Sequence, residues 1–162
     1  MLQLFHISNI IDIGSDDLKG NIQKIVYPKE FKGDYIFAVE PYFTDALKGI
    51  IDKSGRKENI WGMFNQRLRY LEDNKTLVFA RSQWFENPVK IKNIYFMKIK
   101  DKDLNIRISF VFHTYNNKEY AVLVSAFTET KKSNAKTNSH SSHVATIRPV
   151  IDNIEEMFKN EQ

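Results

Sequence analysis

The chain reads as an α+β domain: an antiparallel β-sheet with a helical hairpin on one face and a C-terminal helix closing the unit. Three observations predict it. Two neighbouring segments place apolar residues at helical spacing, Phe43, Ala46, Leu47, Ile50 and Ile51 first, then Ile60, Met63, Phe64, Leu68 and Leu71, and recurrence at three and four residues marks one helix face. Three stretches rich in β-branched and aromatic residues follow at 94–100, 106–113 and 120–128, the composition of strands. The end of the chain returns to helical spacing through Ile147, Val150, Ile151, Ile154, Met157 and Phe158.

Taken in order, residues 1–33 form an N-terminal extension. Leu2, Leu4, Phe5 and Ile7 suit a short strand, and Ser15-Asp16-Asp17 ahead of Leu18, Ile22 and Ile25 suits a capped helix. The main domain spans 34–162. Tyr35-Ile36-Phe37-Ala38-Val39 is a strand by composition, Pro41 ends it, and Thr44-Asp45 can cap a helix over 43–53. A turn at Ser54-Gly55-Arg56 leads to a second helix over 58–72, which Asp73-Asn74-Lys75 stops. The turn formers 101–105 and 116–118 divide the three later strands into a meander. The third strand, Tyr120-Ala121-Val122-Leu123-Val124, is apolar on both faces and therefore central. After it comes a polar run, 131–143, with little to bury, expected as a mobile loop and the first place a protease would nick. The final helix tolerates Pro149 in its first turn alone.

At 162 residues the chain is long enough for one buried core. Without cysteine it can hold neither a disulfide framework nor a thiolate metal site, and no run approaches the roughly 18 apolar residues of a membrane span. The expectation is a cytoplasmic protein with no membrane partner. The net charge of +4 is concentrated: residues 91–146 carry nine Lys and Arg against four Asp and Glu. Such a patch gathers phosphate and suits nucleic acid, although a solvated lysine face looks the same in sequence.

Strand alternation sorts these cations. In 106–113, Ile106, Ile108, Phe110 and Phe112 share one face while Arg107, Ser109, Val111 and His113 share the other. In 94–100, Tyr95, Met97 and Ile99 face inward and Phe96, Lys98 and Lys100 outward. Lys98, Lys100, Arg107 and His113 therefore point away from the helical hairpin, onto what reads as an open basic face. Attack of a ribose 2′-hydroxyl on the neighbouring phosphate needs a proton acceptor, a cation at the pentacoordinate phosphorus and an acid for the 5′-oxygen, and lysine and arginine can supply the cation.

The order of strand, helix hairpin and meander, with Lys98-Ile99-Lys100, Arg107-Ile108-Ser109-Phe110-Val111-Phe112 and the strand ending Phe127-Thr128-Glu129-Thr130-Lys131-Lys132, resembles the RelE/ParE toxin superfamily. The resemblance covers about residues 34–133. It implies a RelE-like fold and the toxin of a toxin-antitoxin system: a metal-independent endoribonuclease without cofactor that cleaves mRNA, mostly on the ribosome, and is restrained by a cognate antitoxin protein. Carried over by position, the resemblance implies roles for Lys98, Lys100, Arg107 and Lys131 or Lys132, with His113 as a further candidate. Thr128-Glu129-Thr130 departs from the family, whose basic run usually begins directly after the phenylalanine. Two alternatives stand beside it, a ParE-like gyrase inhibitor and a non-catalytic nucleic-acid- or protein-binding module of mobile-element origin.

Other residues favour plainer readings. His140 and His143 have the spacing of a metal pair, but no carboxylate lies in the same run, so no metal is expected. Trp84 and Phe85 beside Arg81 can stack on bases, though packing over the hairpin is the ordinary outcome. Arg67 and Arg69 lie two apart on a helix and cannot share a face.

Overall fold

The hairpin forms where the periodicity puts it. Helix α1 spans Tyr42–Ser54 and ends at Gly55, whose φ of 69° lies in the left-handed region that a residue without Cβ enters freely. Helix α2 spans Lys57–Asn74 and passes into a 3-10 helix over Lys75–Ala80. The computed structural model describes residues 3–6, 35–129 and 133–160, with backbone alone for 3–6 and 133–140. The helix expected after Ser15 lies outside the described residues.

Among the described residues six strands form one sheet: β1 (Gln3–His6), β2 (Ile36–Glu40), β3 (Phe85–Glu86), β4 (Tyr95–Asp101), β5 (Leu104–Tyr115) and β6 (Lys118–Thr128), in the order β1-β2-β6-β5-β4-β3. The meander β4-β5-β6 is antiparallel as expected, and β6 is central between β5 and β2. The sheet as a whole is mixed, not purely antiparallel, because β2 runs parallel to β6, Ile36 to Ala38 beside Ala121 to Leu123. The hairpin and meander together form the long crossover that a parallel pair requires. A register shift between Ser109 and Phe110 lets β6 carry one extra residue there, so Leu123 and Ala126, three apart, both face the hairpin.

On that face Phe43, Leu47 and Ile51 of α1 and Ile60, Phe64, Leu68 and Leu71 of α2 bury against Met97, Ile99, Ile106, Ile108, Phe110 and Leu123. Phe112 is half-buried, its ring at the margin with Tyr95 and Phe79. Arg67 ties α2 to the sheet, its Nε–H donating to the Lys98 carbonyl at 2.7 Å.

The opposite face departs from expectation. The polar run, expected as a loop, is helical from Ser133: α3 spans Ser133–Asp152, and α4 spans Ile154–Asn160. No glycine or proline interrupts 133–148, so once the stripe Val144, Ile147, Val150 and Ile151 is docked, extending the helix toward the N-terminus adds one hydrogen bond per residue without a new nucleation cost. Pro149 sits deep inside α3 rather than in a first turn. The helix breaks three residues later, and the expected single C-terminal helix is two. Together they cover Phe96, Val111, Val122 and Val124 with Ile147, Ile154, Met157 and Phe158. The sheet is thus packed on both sides, and the broad open basic face is replaced by a second core. Among the described residues no helix is long and apolar enough to cross a membrane.

One polar group is buried where β2 meets α1. Glu40 is 4% exposed and accepts a hydrogen bond from the Thr44 hydroxyl. Burial raises its pKa from 4.5 to about 7, against the pull of the Thr44 hydrogen bonds. A carboxyl raised in the folded state stabilises the fold below its unfolded pKa, and that contribution is lost as pH rises through about 7. Glu40→Gln should therefore match the parent at pH 4 and exceed its stability at pH 8 by about 3 kcal/mol, read by urea unfolding at the two pH values. Equal stability at pH 8 would remove this account of Glu40.

Candidate functional site

β4 and β5 set Lys98 directly opposite Arg107. Because Met97, Ile99, Ile106 and Ile108 are buried toward the hairpin, both cations turn to the other face, at the end of the sheet formed by the β4–β5 turn. Lys98 is half-buried there and Lys100 is exposed.

Arg107 does not stand open. Its side chain is 11% exposed, with Nε 3.1 Å from Glu129 Oε2 and 3.8 Å from Glu86 Oε1, and the Glu129 side chain is 6% exposed. Nε–H is aligned on neither oxygen well enough for a hydrogen bond, so the attraction is chiefly ionic. Glu129 is held by its own backbone, whose N–H donates to the Asn105 carbonyl at 2.8 Å. The two carboxylates were not recognised as site residues from sequence. The signal was present at Glu129, which interrupts the expected basic run directly after β6, whereas Glu86 arrives only through the pairing of β3 with β4.

His143 arrives with α3. Its ring packs on Phe127 with centroids 4.2 Å apart, and Nε2 lies 2.9 Å from Ser109 Oγ. Ser109 donates its proton to the Ser125 carbonyl at 3.2 Å, so His143 Nε2–H is the donor to the serine oxygen. Ser109 is fully buried and makes a structural bond, not a nucleophile. It lies two residues from Arg107 on the same face, about 7 Å along the strand. His143 therefore borders the Arg107 cluster. Its place on the buried stripe could have been read from its spacing of four to Ile147.

His113 belongs elsewhere. It lies six residues further along the strand than Arg107, about 20 Å, too far to serve one phosphate. Its Nε2 lies 2.8 Å from Glu155 Oε1 and its ring stacks on Phe158, with centroids 5.2 Å apart and planes within 6°. These contacts dock α4. Lys131 and Lys132 lie outside the described residues, as does the side chain of His140, and the His143 imidazole is turned to Ser109.

A second cationic feature lies beside β3, where α2 meets the edge of the sheet. Two guanidinium groups lie over the Trp84 ring, Arg81 at 3.4 Å and Arg67 at 4.5 Å from its centroid, with Tyr70 edge-on. Arg67 is buried, and burial, followed by the nearby Arg81 charge, lowers its pKa to about 10. Phe85 is buried in the core. Trp84 packs over α2 with its ring already engaged by both guanidinium groups and Tyr70.

No protein-family model, no curated protein and no solved structure matches the chain.

Proposed function

We propose that the chain is an endoribonuclease of the RelE type, the toxin of a toxin-antitoxin pair, acting on mRNA at the Arg107 end of the sheet. The observation that carries the reading is one cluster: Lys98 and Arg107 in direct register, with Glu129 at 3.1 Å from the arginine and His143 on Ser109, two residues along the same strand face. Glu129 takes the proton from the ribose 2′-hydroxyl. The freed oxygen forms a bond to phosphorus, the bond from phosphorus to the 5′-oxygen breaks, and the products are a 2′,3′-cyclic phosphate and a 5′-hydroxyl. Arg107 and Lys98 stabilise the charge gathered on the phosphate, and His143, as an imidazolium that keeps Nε2–H on Ser109, gives its Nδ1 proton to the departing 5′-oxygen. Substrate must first take the place of a carboxylate on Arg107, so the free protein holds the arginine neutralised. The resemblance adds a cognate antitoxin, and the ribosome as the setting for cleavage.

One observation favours a second reading. Arg107 is largely buried between two carboxylates, the arrangement of a structural ion pair, and a chain so built can be a non-catalytic nucleic-acid- or protein-binding module.

Expression from a tightly repressed promoter separates these outcomes. Growth arrest with shortened mRNA is expected, and Glu129→Gln should lower cleavage by about 10²–10⁴-fold. Arrest with DNA-damage signals would mark a gyrase inhibitor instead, and no arrest and no cleavage would leave the binding module.

A further inference from the structure

β2 covers β6 only from Ala121 to Leu123, although β6 continues to Thr128. β2 itself ends at Glu40, so among the described residues the last three positions of β6, Ala126 to Thr128, have no strand beside them on that edge, a length of about 10 Å. The Glu129 N–H points across to Asn105 on β5, and main-chain groups alternate along a strand, so those of Ala126 and Thr128 point to the free edge.

This edge is recessed. α1 packs on one face of β6 and α3 on the other, and between them two adjoining hollows of about 500 and 330 Å³ meet at Ile50 and Thr128. One wall is Tyr42, Ala46, Gly49 and Ile50 of α1, and the other includes Ser142 and Thr146 of α3. Gly49 sits mid-helix, where glycine is destabilising, and a Cβ built there meets nothing within 4 Å. Lys53 stands at the far end with no carboxylate among the described lining residues.

We propose that the free edge of β6, between α1 and α3, takes up an extended peptide from another protein as an added strand. Its small or apolar side chains lie toward α1 and a carboxylate toward Lys53. Main-chain groups spaced every second residue are matched by another extended backbone. A nucleic-acid strand lacks that repeat and would need cations along the slot, where the described lining supplies one lysine. Gly49 leaves room for the incoming chain, and a peptide with an acidic end complements both Lys53 and a protein of net charge +4. The inference is independent of the ribonuclease reading, since a catalytically dead chain keeps the slot.

A displayed library of random nonapeptides, selected on the full chain, supplies the probe. A synthesised winner should bind at micromolar concentration and slow hydrogen exchange at the Ala126 and Thr128 amides. Thr128→Pro, which removes an edge donor, and Gly49→Leu, which fills the slot, should each weaken binding at least tenfold. Gly49→Leu should at the same time raise the melting temperature, so lost binding cannot be lost folding, and it carries the test if Thr128→Pro fails to fold. The proposal is overturned if no peptide is selected or if the winner binds Gly49→Leu as well as the parent. It is equally overturned if the same amides are protected by a uridine decamer, or by self-association that Gly49→Leu abolishes.

Discussion

Arg107→Ala is expected to lower RNA cleavage by a factor on the order of 10² or more, the usual effect of removing one donor that stabilises transition-state charge. The same change should cost about 3–5 kcal/mol of stability, because Glu129 is left buried without its counter-charge. An exposed arginine on an open sheet would change stability by only about half a kcal/mol. The two effects are separable. Arg107→Met combined with Glu129→Gln removes both charges and should recover most of the stability, measured by urea unfolding, while cleavage stays lost. Arg107→Lys keeps a charge near Glu129 and should recover stability better than activity, since an ammonium cannot reproduce a guanidinium held against two oxygens. Full cleavage by a folded Arg107→Ala protein would sink the assignment and put the binding module first.

Phe158→Ala should destabilise the protein by about 3–5 kcal/mol, the range for truncating a buried phenylalanine. Phe158 is 4% exposed and touches four rings, Phe37, His113, Tyr115 and Tyr120, at centroid distances of 5.1 to 5.6 Å. α4 has seven residues and buries only Ile154, Met157 and Phe158. Too short to persist alone, it stays helical through that docking. Loss of the ring should free the C-terminal segment before the rest unfolds, seen as protease cleavage after about residue 152 in buffer where the parent is intact. A variant that loses stability while keeping α4 protected would show that the ring supports the sheet, not the helix.

Much of the fold was legible because its elements carry their own periodicity. The stripe Phe43, Leu47, Ile51 and the alternation Ile106, Ile108, Phe110 each declare a face, and a hydrophobic face must be buried whatever the topology. Direction of pairing is not local. That β2 lies parallel to β6 depends on how the chain returns through the hairpin and meander, which no residue in either strand records.

The site divides along the same line. Alternation by itself put Lys98 and Arg107 on the face opposite the hairpin, and the structure sets them in direct register. Whether that face met water was decided by α3 and α4, whose polar first half resembles a loop until Ile147 and Val150 seat the helix on Val122 and Val124. Only tertiary structure could bring Glu86 and Glu129 to Arg107, seat His143 against Ser109 and send His113 to Glu155. An ion pair depends on a few ångströms between residues distant in sequence, whereas a strand's two faces follow from the geometry of one residue after the next.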